Sequence, residues 1–329
     1  MVVHNIIDVS PLYHKYAYAM RDTWWIQNHK EDDIPNDKIP LKYLVMEEIE
    51  RMRETIEESG NRVVTSACFD SKHNLRKKLL GSDEASGYKA GRSSALVQFD
   101  FEEIEDMKNI LSEVGVNVFC LDGCEADDLI AHLAKKADEY DLSIIYSTDK
   151  DMIANINSRV GMRRRVKQEW ITISAKNYSS VVSESFGVRV PYNTIGLYLS
   201  TVGDTADHIA GIKGFGKKSF EKLVEKLDNE IKPNWSELSS YDKVKELLIK
   251  CKGTYLSEEQ FRQAVETFNI VRPIEITNSI EDKGGTVDVD EYGFKLIKMF
   301  MEEPTVMKVE TLESRVEAYR KAGMPSLMK

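Results

Sequence analysis

The residues in this chain best suited to chemistry are carboxylates, and their spacing says more than their number. Between Val118 and Ile130 an apolar run ends in a turn at Gly123, and Glu125, Asp127 and Asp128 follow within four residues. From there Ala126, Leu129, Ile130, Leu133, Ala134 and Ala137 recur at the spacing of one buried helical face. The three acids therefore open a helix where a strand hands over to it. A helix dipole favours acids in its first turn, so capping is the plain structural explanation. Capping needs one acid or two; three at the end of a buried strand suggest a bound cation. Asp8, Asp70 and Asp149 repeat the arrangement. Each of them, with Glu125, follows the C-terminal end of a separate predicted strand, at residues 5–10, 62–70, 116–121 and 143–151. In an open parallel sheet those ends share the edge where ligands bind. Four carboxylates gathered there repel one another unless cations separate them. Asp151 adds a further acid after the fourth strand, and Asp204 and Asp207 lie three apart beyond it.

Helices alternate with these strands. One runs through Tyr13, Tyr16, Met20 and the Trp24-Trp25 pair, and one over 41–59 carries Leu44, Val45, Ile49, Met52 and Ile56 on one face; a third covers 101–114. A polar stretch with two prolines at 31–40 reads as a loop. Such alternation predicts an α/β fold with a central, mostly parallel sheet and helices on both faces. From Arg163 the chain changes character. The basic run Arg163 to Lys167 leads into a short strand at 169–173, and helices are expected from about Ser174 to Gly187 and from Pro191 to Val202. Gly211-Ile212-Lys213-Gly214-Phe215-Gly216-Lys217-Lys218 is a glycine-rich hairpin, followed by a helix to about Leu227. Close glycines leave backbone N–H groups open to a phosphate. Five lysines against two glutamates between Ile212 and Lys226 add positive charge. An ordinary turn with a solvated lysine face is the bland alternative. Residues 233–329 read as mainly helical, broken at Asp282-Lys283-Gly284-Gly285.

The chain has 329 residues, 42% apolar and 30% charged, enough for two globular domains. A net charge of −10 excludes a wholly basic nucleic-acid binder. It leaves room for one whose acids are concentrated in a metal-loaded pocket. No apolar run reaches membrane length, and the N-terminus has no signal-peptide pattern. Cys68, Cys120, Cys124 and Cys251 show no zinc-type pairing and read as reduced thiols of a cytoplasmic protein. The six histidines form no metal-like cluster.

In combination, Glu125-Ala126-Asp127-Asp128, Thr148-Asp149-Lys150-Asp151 and Gly203-Asp204-Thr205-Ala206-Asp207, with the glycine hairpin just after, closely resemble the 5′-nuclease superfamily. That family includes flap endonucleases, the 5′-exonuclease domain of bacterial DNA polymerase I and phage 5′–3′ exonucleases with ribonuclease H activity. Phe69-Asp70 followed by Tyr88-Lys89-Ala90-Gly91-Arg92 is similar to its second acid and basic gateway. The resemblance runs from about residue 5 to 230, with a free-standing phage-type enzyme the nearest pattern. One departure is His208, where the family usually has Asn after the last acid.

The resemblance implies a PIN-like nuclease domain over 1–187 and a helical domain over 188–329 with a helix–hairpin–helix at about 202–228. It implies that Asp8, Asp70, Glu125, Asp127, Asp128, Asp149, Asp151, Asp204 and Asp207 hold two Mg²⁺ ions, for which Mn²⁺ can substitute. The first five would lie nearest the inner ion and the last four would hold the second, with Asp8 and Asp128 counted as catalytic. Lys89 and Arg92 would meet the scissile phosphate as catalytic cations, with Arg76, Lys77 and Lys78 either helping or forming a solvated helix face, and Tyr88 would stack on an unpaired base. Gly211, Lys213, Gly214, Gly216, Lys217 and Lys218 would grip a duplex by its backbone, with K⁺ held by the hairpin's carbonyls. The expected protein is a monomeric 5′–3′ exonuclease and flap endonuclease acting on DNA or RNA–DNA duplexes with a 5′ end, flap or nick. It would remove RNA primers in the cytoplasm, that of the host if viral, with a single-stranded-DNA-binding protein or sliding clamp as partner. Its rivals are a non-catalytic junction binder, a PIN-type ribonuclease and a metal-dependent phosphatase.

Overall fold

The computed structural model describes residues 1–21, 41–73, 101–166, 169–192, 194–205, 207–231, 241–278, 285–301 and 312–322. The expected gateway residues Tyr88, Lys89 and Arg92, with Arg76, Lys77 and Lys78, lie outside them, as do the Trp24-Trp25 pair and the loop at 31–40.

Strand β1 (Val2–Asp8) lies at the centre of a six-stranded sheet, covered on both faces, with its polar His4 bonded to Ser66 and Asn5 to the Met52 carbonyl. The sheet order is β3-β2-β1-β4-β5-β6, where β2 is Arg62–Cys68, β3 Asn117–Phe119, β4 Leu142–Tyr146, β5 Val160–Val166 and β6 Glu169–Ile173. The first five are parallel and β6 alone is antiparallel. The chain builds outward from β1 through β2 to β3, then restarts beside β1 with β4. A crevice opens at such a reversal, beyond the carboxyl ends of β1 and β4. Asp8 ends β1 there, and Ser147 to Asp149 leave β4.

Successive residues of β1 point to opposite faces. Ile6 joins an apolar cluster with α4 (Ala126–Lys135), α5 (Tyr178–Phe186) and α6 (Ile195–Val202). Ile7 joins a second one with Tyr13 of α1 (Val9–Arg21), Met46 of α2 (Leu41–Glu57) and Leu111 of α3 (Phe101–Glu113). Helix α4 keeps Leu129, Ile130 and Leu133 buried, as its spacing requires.

Three elements differ from expectation. The predicted strand 143–151 stops at Tyr146, and Lys150–Asn155 forms a 3-10 turn, because the Asp149 side chain accepts the Asp151 N–H at 2.9 Å and bends the chain. The basic run is itself strand β5, paired in parallel with β4. The region expected to be mainly helical holds α8 (Tyr241–Cys251), α9 (Glu258–Val271) and α10 (Leu312–Lys321). It also holds a three-stranded sheet of order β10-β11-β9, with β9 at Glu275–Asn278, β10 at Gly285–Val289 and β11 at Lys295–Met301. In β11 the buried Ile297, Met299 and Met301 alternate with less buried neighbours, a period of two that the glycine pair at 284–285 obscured. The first apolar cluster continues without a break from Ile6 to Met301.

Helix α10 returns to the opposite face and is locked there by charge. Arg315, 1% exposed, donates from Nε to Glu50 Oε1 at 2.9 Å and from Nη2 to Glu57 Oε2 at 2.6 Å. Tyr319 OH adds a bond to the other Glu50 oxygen at 3.0 Å. Removing one partner of such a buried pair strands the other. Arg315→Met is therefore expected to cost about 3–5 kcal/mol in urea unfolding, with part recovered on adding Glu50→Gln; a change of less than ~1 kcal/mol would show that α10 is not held by this pair.

Candidate metal centre

Two groups of carboxylates meet at the carboxyl edge of the main sheet. In the first, Asp8 is 4% exposed and its Oδ2 accepts the Ser147 hydroxyl at 2.7 Å. Ser147 Oγ in turn accepts the Asp149 N–H at 3.0 Å, so one serine ties the ends of β1 and β4 together. Asp70, exposed after β2, accepts the Ala126 N–H at the start of α4 at 2.9 Å. Glu125 is buried at the N-cap of that helix. Burial, and then the charges of Asp8, Asp127 and Asp70, push the Cys68 thiol well above its usual range.

Asp128 stands apart. It is fully buried, and its two oxygens accept backbone N–H groups from Glu125 at 3.0 Å and from Ile274 at 2.7 Å. It closes the first turn of α4 and pins the chain entering β9 to that turn. Nothing in the sequence linked residue 128 to residue 274.

In the second group, Asp151, Asp204 and Asp207 bring one carboxylate oxygen each within 4.8 Å of one another. Asp204 and Asp207 come from a tight loop between β7 (Gly203–Asp204) and β8 (Ile209–Ala210). The loop closes only because two glycines meet. A Cβ on Gly203, whose φ is +80°, would lie 2.4 Å from Ile209 O, and one on Gly211 would lie 2.3 Å from the Val202 carbonyl carbon. Helix α9 braces it, with Thr267 Oγ1 donating to Ala210 O at 2.7 Å. Asp127 and Asp151 line one small cavity with Asn155, Ile209, Tyr241 and Pro273, which joins the two groups.

The donor set fits a divalent cation. It consists of hard carboxylate oxygens without His or Cys, as Mg²⁺ and Mn²⁺ prefer. Asp151 Oδ1 is buried without a hydrogen-bond partner, an arrangement that costs free energy until a cation is supplied. Burial, reinforced by Asp149 and Asp204, raises the Asp151 pKa well above the ordinary carboxylate value, and Lys150 opposes the rise.

Two cations that the sequence reading gave no role flank this group. Lys150 Nζ lies 2.7 Å from Asp204 Oδ1. Arg164, from the basic run, donates from Nε to Thr148 O at 3.0 Å, and burial lowers its pKa against the pull of Asp149 and Asp151. Alternation along β5 was the signal that could have found it: Arg163 stacks near Tyr146 and Trp170, so Arg164 faces the other way.

The glycine hairpin, with Lys213 exposed, precedes α7 (Lys217–Lys226), which buries Phe220, Leu223 and Val224 and leaves Lys217, Lys218, Lys222 and Lys226 exposed. Gly214 takes a φ of +75° in open space, and Gly216 forms the N-cap. Of the expected contact residues, Gly211 is committed to packing, and the Lys213 N–H donates to Gln263 Oε1 at 2.9 Å. The side chains of Lys213, Lys217 and Lys218 face solvent.

Comparison with known proteins gives the family of the N-terminal part and the fold. Residues 4–187 match the family model described as 5′–3′ exonuclease, N-terminal resolvase-like domain. A 5′–3′ exonuclease of Aquifex aeolicus is 34% identical over 137 residues, which are 40% of this chain and 44% of that protein. The thermostable DNA polymerase I of Thermus aquaticus is 30% identical over 173 residues, 52% of this chain and 19% of that protein. The chain thus spans about half the length or less of these curated relatives. A variant of the bacteriophage T5 flap endonuclease, solved in a pseudo-enzyme–product complex with DNA and metal ions, superposes with a TM-score of 0.52 at 15% identity. The superposition covers 82% of this chain and 89% of that one, and the likeness is one of fold.

Asp151 and Asp128 should respond oppositely to the same substitution. A carboxyl whose folded pKa is raised weakens the fold as pH climbs from its unfolded value, 3.8 here, through the folded one, and the loss persists above it. In EDTA, Asp151→Asn should melt above wild type at pH 8 by a wider margin than at pH 5. Asp128→Asn, which sets an amide N–H against a backbone N–H, should melt lower by the equivalent of about 1–3 kcal/mol. Thermal melts at the two pH values check both, and a lower melting point for Asp151→Asn at pH 8 would contradict the first.

Proposed function

The chain belongs to the family of 5′–3′ exonuclease N-terminal, resolvase-like domains, and from that premise we propose that it is a metal-dependent 5′–3′ exonuclease and flap endonuclease. The observation that carries this reading is the Asp151, Asp204 and Asp207 cluster with its unpartnered buried oxygen, set at the carboxyl edge of a parallel sheet. The cluster would hold one Mg²⁺, or Mn²⁺ in its place. Asp8, Asp70, Glu125 and Asp127 would hold a second, with Asp149 between the groups.

Divalent ions, if bound there, would supply the charge needed to ionise a water and stabilise a leaving oxygen in phosphodiester hydrolysis. The chain's own residues do the positioning. Ser147 fixes Asp8 against the end of β4, Asp149 bends the following turn so that Asp151 faces the 203–210 loop, and Asp128 holds α4 in register. The exposed lysines of the hairpin and α7 support a duplex held by its phosphates, a contact that reads structure and not sequence. By resemblance, Lys89 and Arg92 meet the scissile phosphate and Tyr88 stacks on an unpaired base. The same reading gives the hairpin a K⁺ and makes the substrate a DNA or RNA–DNA duplex with a 5′ end, flap or nick. It also makes removal of RNA primers the task, in the cytoplasm, beside a sliding clamp or single-stranded-DNA-binding protein.

The test is product mapping on a 5′-labelled flap and a nicked duplex, with Mg²⁺ and with EDTA. Cuts near the flap junction or short 5′ products, seen only with Mg²⁺, are expected, and Asp149→Asn should abolish them while its circular dichroism stays that of wild type. Binding without cleavage in either Mg²⁺ or Mn²⁺ would leave a non-catalytic junction binder; cleavage of single-stranded RNA alone would favour a PIN-type ribonuclease. Lys213→Ala and Lys217→Ala should each weaken duplex binding and flatten the slope of log affinity against log salt by about 0.9. An unchanged slope would remove the hairpin from the duplex contact.

A further inference from the structure

Lys150 lies between two acids of the site, in the 3-10 turn that follows β4. Its ammonium is 2.7 Å from Asp204 Oδ1, an oxygen of the carboxylate cluster itself. Asp204 is 4% exposed on its side chain and Lys150 28%, so the pair sits at the rim of the pocket and the lysine retains a path to solvent. Its Nζ also lies 5.8 Å from the centroid of the Phe186 ring at the end of α5. Arg164 is committed through Nε to the Thr148 carbonyl.

We infer that Lys150 is a resident cation of the metal-free site, which holds Asp204 until a divalent ion arrives and must release it for that ion to bind. This rests on the metal-dependent reading above. With a single positive charge, the ammonium satisfies one oxygen and reduces the repulsion among the three acids without closing the site. Ion capture at Asp204 is then an exchange, weaker than capture by the same carboxylates alone. The released side chain, anchored between Asp149 and Asp151, remains at the pocket rim as a cation facing an incoming phosphodiester.

Calorimetric titration of the full chain with Mg²⁺ in the absence of DNA tests the exchange, alongside thermal melts in EDTA. Lys150→Met should bind Mg²⁺ roughly five- to tenfold more tightly, the factor expected for losing one part-buried ion pair, and should melt lower than wild type in EDTA. Lys150→Arg, which keeps the charge, should bind Mg²⁺ within about twofold of wild type. Unchanged or weaker Mg²⁺ binding by Lys150→Met would overturn the inference. If that variant does not fold, reductive ¹³C-methylation of the wild-type lysines gives a second readout: the Lys150 signal should shift in step with Mg²⁺ binding, and a signal that stays fixed would overturn the inference equally. Wild-type protein that binds neither Mg²⁺ nor Mn²⁺ would overturn the metal-dependent reading itself, and the role of Lys150 with it.

Discussion

Carboxylates brought to one edge of a sheet repel one another, and much of this structure is arranged to hold them there. Asp8 and Asp149 are kept by a shared serine, Asp70 by the first N–H of α4, and Asp204 by a lysine ammonium. Asp151 has no such neutralising partner for Oδ1, and its raised pKa records the cost. A site of this kind stores its affinity for cations as strain in the metal-free protein. The fold must supply that from elsewhere, through the apolar clusters on either side of the sheet.

The C-terminal third belongs to that support. Its entry into β9 is tied to Asp128 at the head of the acid-bearing helix, while α9 braces the loop that presents Asp204 and Asp207. Helix α10 closes the opposite face through Arg315 and Glu50. The apolar cluster that begins at Ile6 runs on to Met301, so the metal-site helix and the C-terminal sheet share one packed interior. A disturbance in the tail is therefore transmitted to the acids through contacts and not through the chain alone.

The glycine hairpin shows how two demands overlap in one short sequence. Gly211 and Gly203 are glycines because two backbones come within contact distance, and that approach shapes the acid loop. Gly214 answers to the turn, with open space around it, and the lysines after Gly216 face solvent. One short segment thus fixes both the acid loop and the turn that presents the lysines.

The sequence by itself determined the alternating α/β core, because apolar runs and helical periodicity are local signals that burial enforces residue by residue. It also determined that acids follow four of the parallel strands, since strand direction fixes the edge to which they go. It did not determine that the basic run Arg163 to Arg165 lies in a strand paired on both sides, because pairing with β4 and β6 is a tertiary event that overrides charge. Nor did it show the C-terminal sheet, whose strands are short and take their stability from one another. The bond between Asp128 and Ile274, and that between Lys150 and Asp204, join residues 146 and 54 positions apart. Which carboxylate caps, which pins the tail and which is left to bind a cation depends on such distances in space, and only the folded chain sets them.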